Sequence, residues 1–174
     1  MNLSIRKIVI SGILGAITIL LGLTRLGFIP VPTPAGHATI MHIPVILGGV
    51  LEGPAVGLIT GAIFGLFSFL QPGAPFFADP LVSILPRLFI GIISYLVYYS
   101  MKGINTTLAC ILAGALGSIT NTVLVLGMVT LRGYLPAEVT LPMGIMHGVP
   151  ELVVAAILTV LLVKGIQRIR PEES

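Results

Sequence analysis

The sequence predicts an all-α membrane protein with six transmembrane helices, and three observations carry this prediction. Hydrophobic residues make up 56% of the chain and charged residues only 9%, whereas soluble domains carry about 25% charged residues. The apolar residues fall into six long runs. The runs are separated by short turns or by segments rich in proline and glycine. A soluble domain of 174 residues could not bury so much apolar surface, which excludes a soluble enzyme, a disordered chain and a nucleic-acid-binding protein.

The first three runs predict one full span and two helices joined by a tight turn. Residues 1–26 are predicted to form a transmembrane helix that is not removed as a signal peptide, because their apolar run approaches the roughly 20 residues that cross a bilayer. Residues 28–37 contain three prolines and a glycine, which predicts a structured loop. The run at 38–51 is short for a span. Gly53-Pro54 then predicts a turn before the third run, 55–70.

The last three runs predict three further spans. A second loop, rich in proline, covers residues 71–80, and the fourth run follows at 81–101. The fifth run covers 107–131, and residues 132–142 are predicted to form a third loop. The sixth run, 145–163, ends in a basic segment. The whole chain, 1–174, is interpreted as a single integral-membrane domain.

Six spans place both termini on the same side of the membrane, and the basic residues predict which side. Cytoplasmic loops are enriched in Lys and Arg. With cytoplasmic N- and C-termini, the three long loops are extracellular and the inner side has the larger number of cations. The inner cations are Arg6, Lys7, Lys102, Lys164, Arg168 and Arg170, and the outer ones are Arg25, Arg87 and Arg132. The predicted location is therefore multi-pass in the plasma membrane of a bacterium or archaeon.

Small residues recur at four-residue spacing in two places. Gly49, Gly53, Gly57, Gly61 and Gly65 follow one another through the second and third runs. Such a stripe allows the backbone of another helix to approach closely. It predicts tight packing within the chain or contact with a partner protein. The first run carries two similar pairs, Ser11 with Gly15 and Gly12 with Ala16.

Polar side chains inside spans are costly and mark functional sites. Asn121 lies in the middle of the fifth run, where its amide either bonds to another helix or binds a solute. Arg87 follows Pro86 near the outer end of the fourth run. It either extends its head group to the membrane surface, pairs with Asp79 or Glu151, or holds an anionic group of a ligand.

His147 and Glu151 are four residues apart, so a continuous helix would place them on one face with Ala155 and Thr159. Pro150 offers the alternative of a helix that begins there, with His147 in the entry turn. The histidine spacings match no zinc motif, so no metal site is predicted. No cofactor is expected, and the chain lacks a phosphate-binding loop for ATP. The lone Cys110 has no partner for an intrachain disulfide.

Several motifs, in their order along the chain, resemble those of the substrate-binding S-components of energy-coupling factor (ECF) vitamin transporters. They are the segment 42–54, HIPVILGGVLEGP, then Gly57, Gly61 and Phe64-Gly65, then 85–91, LPRLFIG, and finally Asn121-Thr122. The resemblance covers nearly the whole chain. It implies a six-helix protein, not an enzyme, that captures a vitamin or its precursor from outside with high affinity.

The resemblance also implies partners: a transmembrane T-component and two cytoplasmic ATPase subunits. Family members usually carry Ala-x-x-x-Ala on the first helix for docking to the T-component. The matching small residues in this sequence are Ser11, Gly12, Gly15 and Ala16. The pattern is most similar to pantothenate-type S-components. Folate, cobalamin-precursor and pyridoxine types share the scaffold and stay as alternatives.

The predicted topology places a group of polar residues at or near the outer half of the bundle, where we expect the substrate to bind. Arg87 is the residue predicted to pair with a ligand carboxylate. The candidate substrate-binding residues are His37, Thr39, His42, Gln71, Arg87, Asn121, His147 and Glu151.

Two other functional classes are alternatives to this hypothesis. A small membrane enzyme acting through His147 and Glu151 would need a nucleophile or a metal, and the sequence contains no complete set. An autonomous secondary carrier often shows inverted repeats with broken helices, and the sequence shows no clear repeat.

Overall fold

The computed structural model describes residues 4–24, 26–30 and 37–169. Within this part of the chain the protein is a bundle of α-helices with one small β-hairpin. The helices are α1 (Ile5–Leu23), α2 (Ile43–Glu52), α3 (Pro54–Leu70), α4 (Pro80–Ser83), α5 (Leu85–Met101), α6 (Thr106–Leu131) and α7 (Ala137–Ile169). The strands are β1 (Phe28–Pro30) and β2 (His37–Thr39).

Four helical segments among the described residues are long and apolar enough to cross a membrane. They are Ile5–Leu23, Pro80–Met101, Thr106–Leu131 and Ala137–Ile169. The second of these joins α4 and α5 across a short break at Ile84. The helices α2 and α3, with 10 and 17 residues, are shorter. All ten residues of 41–50 are buried, so α2 lies inside the bundle and is not exposed to lipid.

The first predicted loop contains an element that the all-α prediction lacks. Strands β1 and β2 pair antiparallel, with Phe28 opposite Thr39 and Ile29 opposite Ala38. The backbone amide of Ile40 also donates to the carbonyl of Gly27. The ends of this proline-rich segment are thereby joined, and the hairpin lies directly before α2. Residues 31–36, and the side chain of His37, lie outside the described part of the chain.

The sixth predicted helix is longer than the sequence suggested, and the third loop is shorter. The helix α7 has 33 residues and begins at Ala137, with Pro142 and Pro150 inside it. Proline removes one backbone donor, but neighbouring helices can satisfy the carbonyl that is left in a membrane bundle. The structure thus follows the continuous-helix alternative. His147, Glu151, Ala155 and Thr159 are all buried along one stripe of α7.

The glycine stripe of α3 packs against α5, as the intrachain interpretation predicted. A Cβ atom added to Gly57 would lie 2.8 Å from Cα of Gly91, and one added to Gly65 would lie 2.8 Å from Cα of Ile84. A Cβ atom added to Gly61 would collide with the carbonyl oxygen of Arg87. Successive glycines therefore bring the two backbones together turn by turn and fix the position of Arg87.

Two other glycines of the stripe have different surroundings. Gly49 of α2 approaches the backbone of Gly91, so three helices meet at this level. Gly53 contacts nothing that a Cβ would touch, but its φ of 99° is left-handed. Glycine adopts this conformation without the steric cost of a side chain. Gly53 therefore forms the turn between α2 and α3 and does not contribute to the packing.

We predict that Gly91→Ala destabilises the protein although alanine is the better helix former. The new methyl group would collide with the backbone of Gly57, and overpacking of this kind costs about 1–3 kcal/mol. Gly127→Ala on α6 is the matched control, because a Cβ there meets nothing within 4 Å. Thermal unfolding in detergent should show a lower melting temperature for Gly91→Ala only. Equal melting temperatures for both variants would contradict the proposed close approach.

Candidate binding site

A cavity of about 500 Å³ opens at the end of the bundle that carries the hairpin. This size lies within the range of about 300–1,000 Å³ found for small-molecule sites. The helices α5, α6 and α7 form its walls, and the hairpin and the 71–79 segment form its rim. The lining residues are Phe28, Thr39, Gly73, Ala74, Phe76, Phe77, Arg87, Asn121, Thr122, Val125, Leu126, Met143, His147 and Glu151.

Arg87 enters the cavity wall as a buried, fixed cation. Its side chain is only 3% exposed, so it does not extend to the membrane surface. Nη1 donates to the carbonyl of Val82 at 2.5 Å, and Nη2 donates to Oγ of Ser68 at 3.4 Å. The guanidinium also lies over the rings of Phe64 and Phe77, with centroids at 5.3 and 4.9 Å. These contacts hold the cation in one orientation.

One donor of this guanidinium is left without a partner. The Nε–H of Arg87 is buried and makes no hydrogen bond to a described residue. Asp79, which the sequence offered as a partner, pairs with Arg132 at 2.7 Å. Glu151 attracts the guanidinium electrostatically but forms no ion pair with it, and its carboxylate accepts hydrogen bonds from Thr39 and Thr122. A buried charge without a counter-ion is costly, so this site is suited to an anion.

Glu151 connects three elements around the cavity. Its Oε1 accepts a hydrogen bond from the backbone amide of Thr39 at 2.6 Å, and its Oε2 accepts one from the hydroxyl of Thr122 at 3.3 Å. The side chain is 5% exposed. Because these donors belong to β2 and α6, the carboxylate on α7 ties the hairpin to the helical wall. It also gives the cavity wall an acceptor group that attracts the Arg87 cation electrostatically.

Asn121 is the second cavity residue with an unpartnered polar atom. It is 6% exposed, and its Oδ1 has no hydrogen-bond partner among the described residues. A buried amide oxygen without a donor costs about 1–3 kcal/mol. The sequence offered two interpretations of Asn121, bonding to another helix and binding of a solute; the unpartnered oxygen leaves an acceptor for a solute, which stays a prediction.

Five of the eight candidate residues line the cavity: Thr39, Arg87, Asn121, His147 and Glu151. His42 is completely buried outside the lining, with both ring nitrogens unpartnered. Gln71 is exposed just after α3 and does not line the cavity. The side chain of His37 lies outside the described part of the chain.

The sequence interpretation did not include the apolar lining or the aromatic rim. Phe76 and Phe77 form a tilted ring pair with centroids 4.8 Å apart, within a short 3-10 helix, Pro75–Ala78. Two adjacent phenylalanines in a proline-rich loop were a usable signal, because large apolar rings in a loop often pack against a cavity or a partner group. Val125, Leu126 and Met143 gave no such signal, since they resemble every other apolar residue of their helices.

A polar network at the rim holds these rings in place. The carboxylate of Asp79 accepts hydrogen bonds from Nε of Arg132 at 2.7 Å, from the hydroxyl of Tyr134 at 3.2 Å and from the amide of Leu81 at 2.9 Å. The hydroxyl of Ser83 donates to the carbonyl of Phe77. The segment between α3 and α4 is therefore fixed to the end of α6.

A helix bundle with a ligand-sized cavity at one end, mostly apolar but carrying a few polar groups, defines a membrane-embedded binding protein. Residues 6–163 match the family described as "ECF transporter, substrate-specific component". This match covers most of the chain. The protein therefore belongs to the substrate-specific components of ECF transporters, as the sequence motifs indicated, and is a multi-pass membrane protein of a transport system.

Two individual comparisons agree with this family. The "Pantothenic acid transporter PanT" of Lactococcus lactis subsp. cremoris (strain MG1363) is 30% identical over an alignment of 159 positions, and it covers 76% of this chain and 79% of the relative. A solved structure described as "Structure and mechanism of the S component of a bacterial ECF transporter" is similar in fold. It has a TM-score of 0.65 at 19% identity and covers 96% of this chain and 98% of that chain.

We predict a pH-dependent contribution of Asp79 to stability. The hydrogen bond from Arg132, with that from Leu81, lowers the pKa of Asp79 below its usual value. A depressed carboxyl pKa stabilises the folded state above the unfolded pKa of about 3.9, and this contribution is lost as the pH falls through the folded pKa. Asp79→Asn should therefore melt below the native protein at pH 7, and the difference should shrink toward pH 3.

Glu138→Gln provides the matched control, because Glu138 is an exposed carboxylate at the same end of the bundle. Its substitution should leave the melting temperature unchanged at both pH values. Equal melting of Asp79→Asn and the native protein at pH 7 would show that the rim network does not stabilise the fold.

Proposed function

We propose that this substrate-specific component captures pantothenate from outside the cell. It delivers the vitamin to a transmembrane T-component that works with two cytoplasmic ATPase subunits. The chain itself performs no catalytic step. The observation that carries the proposal is the buried cation of Arg87, whose Nε–H has no partner among the described residues, in a cavity of suitable size. The relative that is named a pantothenic acid transporter supports the choice of vitamin.

Pantothenate has one carboxylate, and the cavity offers a matching donor. The Nη atoms of Arg87 are bonded to protein groups while Nε–H is not. A ligand carboxylate at this position would satisfy the last buried donor and neutralise the cation at the same time. Charge-assisted hydrogen bonds of this kind are among the stronger ones in proteins. Pyridoxine has no carboxylate, so the same feature disfavours a pyridoxine-type site.

The remaining polar groups of pantothenate are one amide and two hydroxyls. The Oδ1 atom of Asn121 is an unpartnered acceptor in the wall, and Glu151 presents a carboxylate on α7. Both can accept hydrogen bonds from a hydroxyl or an amide N–H. Val125, Leu126 and Met143 provide apolar surface for the methyl groups. The proposed ligand is thus a hydroxylated acid that extends across the cavity.

We propose six spans with both termini in the cytoplasm, so that the cavity opens to the outside. The short α2 completes its span inside the bundle, where irregular backbone at membrane depth is tolerated because protein surrounds it. Cysteine introduced at Ala137, which is exposed at the cavity end, should react with an impermeant reagent from outside in a Cys110→Ala background. Labelling only from the cytoplasm would contradict this topology.

We predict that Arg87→Ala weakens pantothenate binding by roughly tenfold to a hundredfold, because a hydrogen bond to a charged group contributes about 1.5–3 kcal/mol. Arg87→Lys should recover only part of the affinity, since the planar fork is lost. Titration calorimetry should also compare pantothenol, in which an alcohol replaces the carboxylate. Its weaker binding should change little in Arg87→Ala.

Gln71→Ala is the control for this series, because Gln71 is exposed and does not line the cavity. Its dissociation constant should equal that of the native protein. A folded Arg87→Ala protein that binds pantothenate with native affinity would remove Arg87 from the site and the carboxylate from the proposed ligand.

The structure also refines the surface proposed for docking to the T-component. Ser11 and Gly15 are buried, and a Cβ added to Gly15 would lie 2.6 Å from Ile63 of α3. Gly12 and Ala16 are exposed, and a Cβ at Gly12 meets nothing within 4 Å. We therefore propose that Gly12 and Ala16 form the docking surface, while Ser11 and Gly15 pack α1 onto the bundle.

We predict that Gly12→Trp abolishes complex formation and uptake but leaves pantothenate binding by the isolated protein unchanged. The bulky side chain would block a close helix contact without any clash inside the chain. Co-purification with the T-component and uptake by whole cells provide the two measurements. Gly127→Trp, at another exposed glycine with open space, is the control. Native uptake by Gly12→Trp would place the docking surface elsewhere.

A further inference from the structure

The end of the bundle opposite the cavity brings together the last turns of α5 and α7. The side-chain amide of Gln167 donates to the hydroxyl of Tyr98 at 2.9 Å. Lys102 lies one turn beyond Tyr98, and Arg168 follows Gln167 directly. Lys164 is one turn before Arg168, so both cations lie on the same side of α7. Three cations from two helices therefore lie within one helical turn of the two residues that form this hydrogen bond.

These three cations, Lys102, Lys164 and Arg168, are exposed and lack a described acidic partner. Glu52 pairs with Arg6 and Asp79 pairs with Arg132. Glu138 and Glu151 lie in the half of α7 that faces the cavity. Among the described residues, no carboxylate therefore neutralises this corner. We call the three cations the α5–α7 basic patch.

The opposite corner of the same end is closer to neutral. Nη2 of Arg6 donates to Oε1 of Glu52 at 3.1 Å, which links α1 to the end of α2. The positive charge at this end is thus uneven: Glu52 compensates one of the two cations beside α1, Arg6 and Lys7, whereas none of the three cations of the patch is compensated by a described carboxylate. An excess of cations spread evenly over the end would not produce this difference.

The aromatic residues beside the patch indicate the depth at which it lies. Nζ of Lys102 is 4.8 Å from the ring centroid of Tyr99, and Tyr99 stacks on Tyr95 at 5.6 Å. Tyr99 is 60% exposed, on a helix long and apolar enough to cross the membrane. Tyrosine prefers the membrane–water interface, so the neighbouring cations lie at the level of the lipid phosphates.

We propose that the α5–α7 basic patch binds the head groups of anionic phospholipids. The exposed ammonium and guanidinium groups supply donors and charge to the phosphate, and Tyr99 fixes Lys102 at the interface. Each cation near an anionic membrane surface strengthens binding roughly fivefold. The patch is formed by helices other than α1, so a lipid there does not compete with the proposed docking surface. The proposal is independent of which vitamin the cavity holds.

Native mass spectrometry of the full chain, released from nanodiscs of equal parts phosphatidylglycerol and phosphatidylcholine, tests the proposal. We expect the native protein to retain phosphatidylglycerol about tenfold or more over phosphatidylcholine. The triple variant Lys102→Gln/Lys164→Gln/Arg168→Gln should show a preference below about twofold. The charge-preserving variant Lys102→Arg/Lys164→Arg/Arg168→Lys should keep the native preference, and so should Lys7→Gln at the other corner.

Each other result overturns the proposal. A native protein without a lipid preference, or a triple variant that keeps it, would show that the patch does not select anionic lipid. Loss of the preference in Lys7→Gln would show a general effect of net charge. If the triple variant does not fold, Lys164→Gln/Arg168→Gln replaces it, because both side chains are exposed. That variant should lose most of the preference, and full retention would equally refute the site.

Discussion

The guanidinium of Arg87 is buried among apolar helices without an ion pair to any described carboxylate, and the cavity end of the protein is organised around this charge. A cation removed from water is costly unless it is paired or hydrogen-bonded. Part of this cost is offset by contacts with the main-chain carbonyl of Val82, the hydroxyl of Ser68 and two aromatic rings. The Nε–H makes no hydrogen bond to a described residue. In the function proposed above, a ligand acceptor takes this place, so that Arg87 would link the stability of the empty protein to the chemistry of its substrate.

The glycine stripe makes this arrangement possible. Gly57, Gly61 and Gly65 bring α3 against α5 at Gly91, Arg87 and Ile84 in turn. Because α3 lies so close, Phe64 and Ser68 reach the guanidinium from the side. A methyl group at Gly61 would displace the backbone of Arg87 itself. The glycine packing motif therefore also positions the side chains around Arg87 in the candidate binding site. On the other side, Glu151 ties the hairpin to α6 and α7 and closes the wall.

The sequence predicted most of the helices, because their ends carry strong local signals. Gly53-Pro54 and Lys102-Gly103 mark turns that depend on neighbouring residues alone. The predicted start of α7 was too late because proline normally interrupts a helix. Packing against the surrounding helices allows α7 to continue through Pro142 and Pro150, and this packing cannot be read from the local sequence. The hairpin was missed for a related reason. Three-residue strands have no detectable periodicity, and the pairing of Phe28 with Thr39 joins residues that are distant in the sequence.

For the site, the sequence identified Arg87, Asn121, His147 and Glu151 because polar residues in apolar runs are conspicuous. It could not distinguish a lining residue from one buried behind the lining, which is the difference between Asn121 and His42. That distinction depends on how far each helix is rotated about its axis. The contacts of Phe64, Ser68 and Val82 with Arg87 also could not be predicted from the sequence. They arise from side-chain contacts across helices and leave no pattern in the chain.

We propose that the carboxylate of the substrate is the missing partner of the Arg87 cation. An experimental structure of the protein with bound pantothenate tests this pairing directly. A carboxylate oxygen should lie within hydrogen-bond distance of Nε of Arg87, with the hydroxyl end of the ligand toward Glu151. A pantothenate whose carboxylate lies away from Arg87, or whose hydroxyl end contacts the guanidinium, would contradict it.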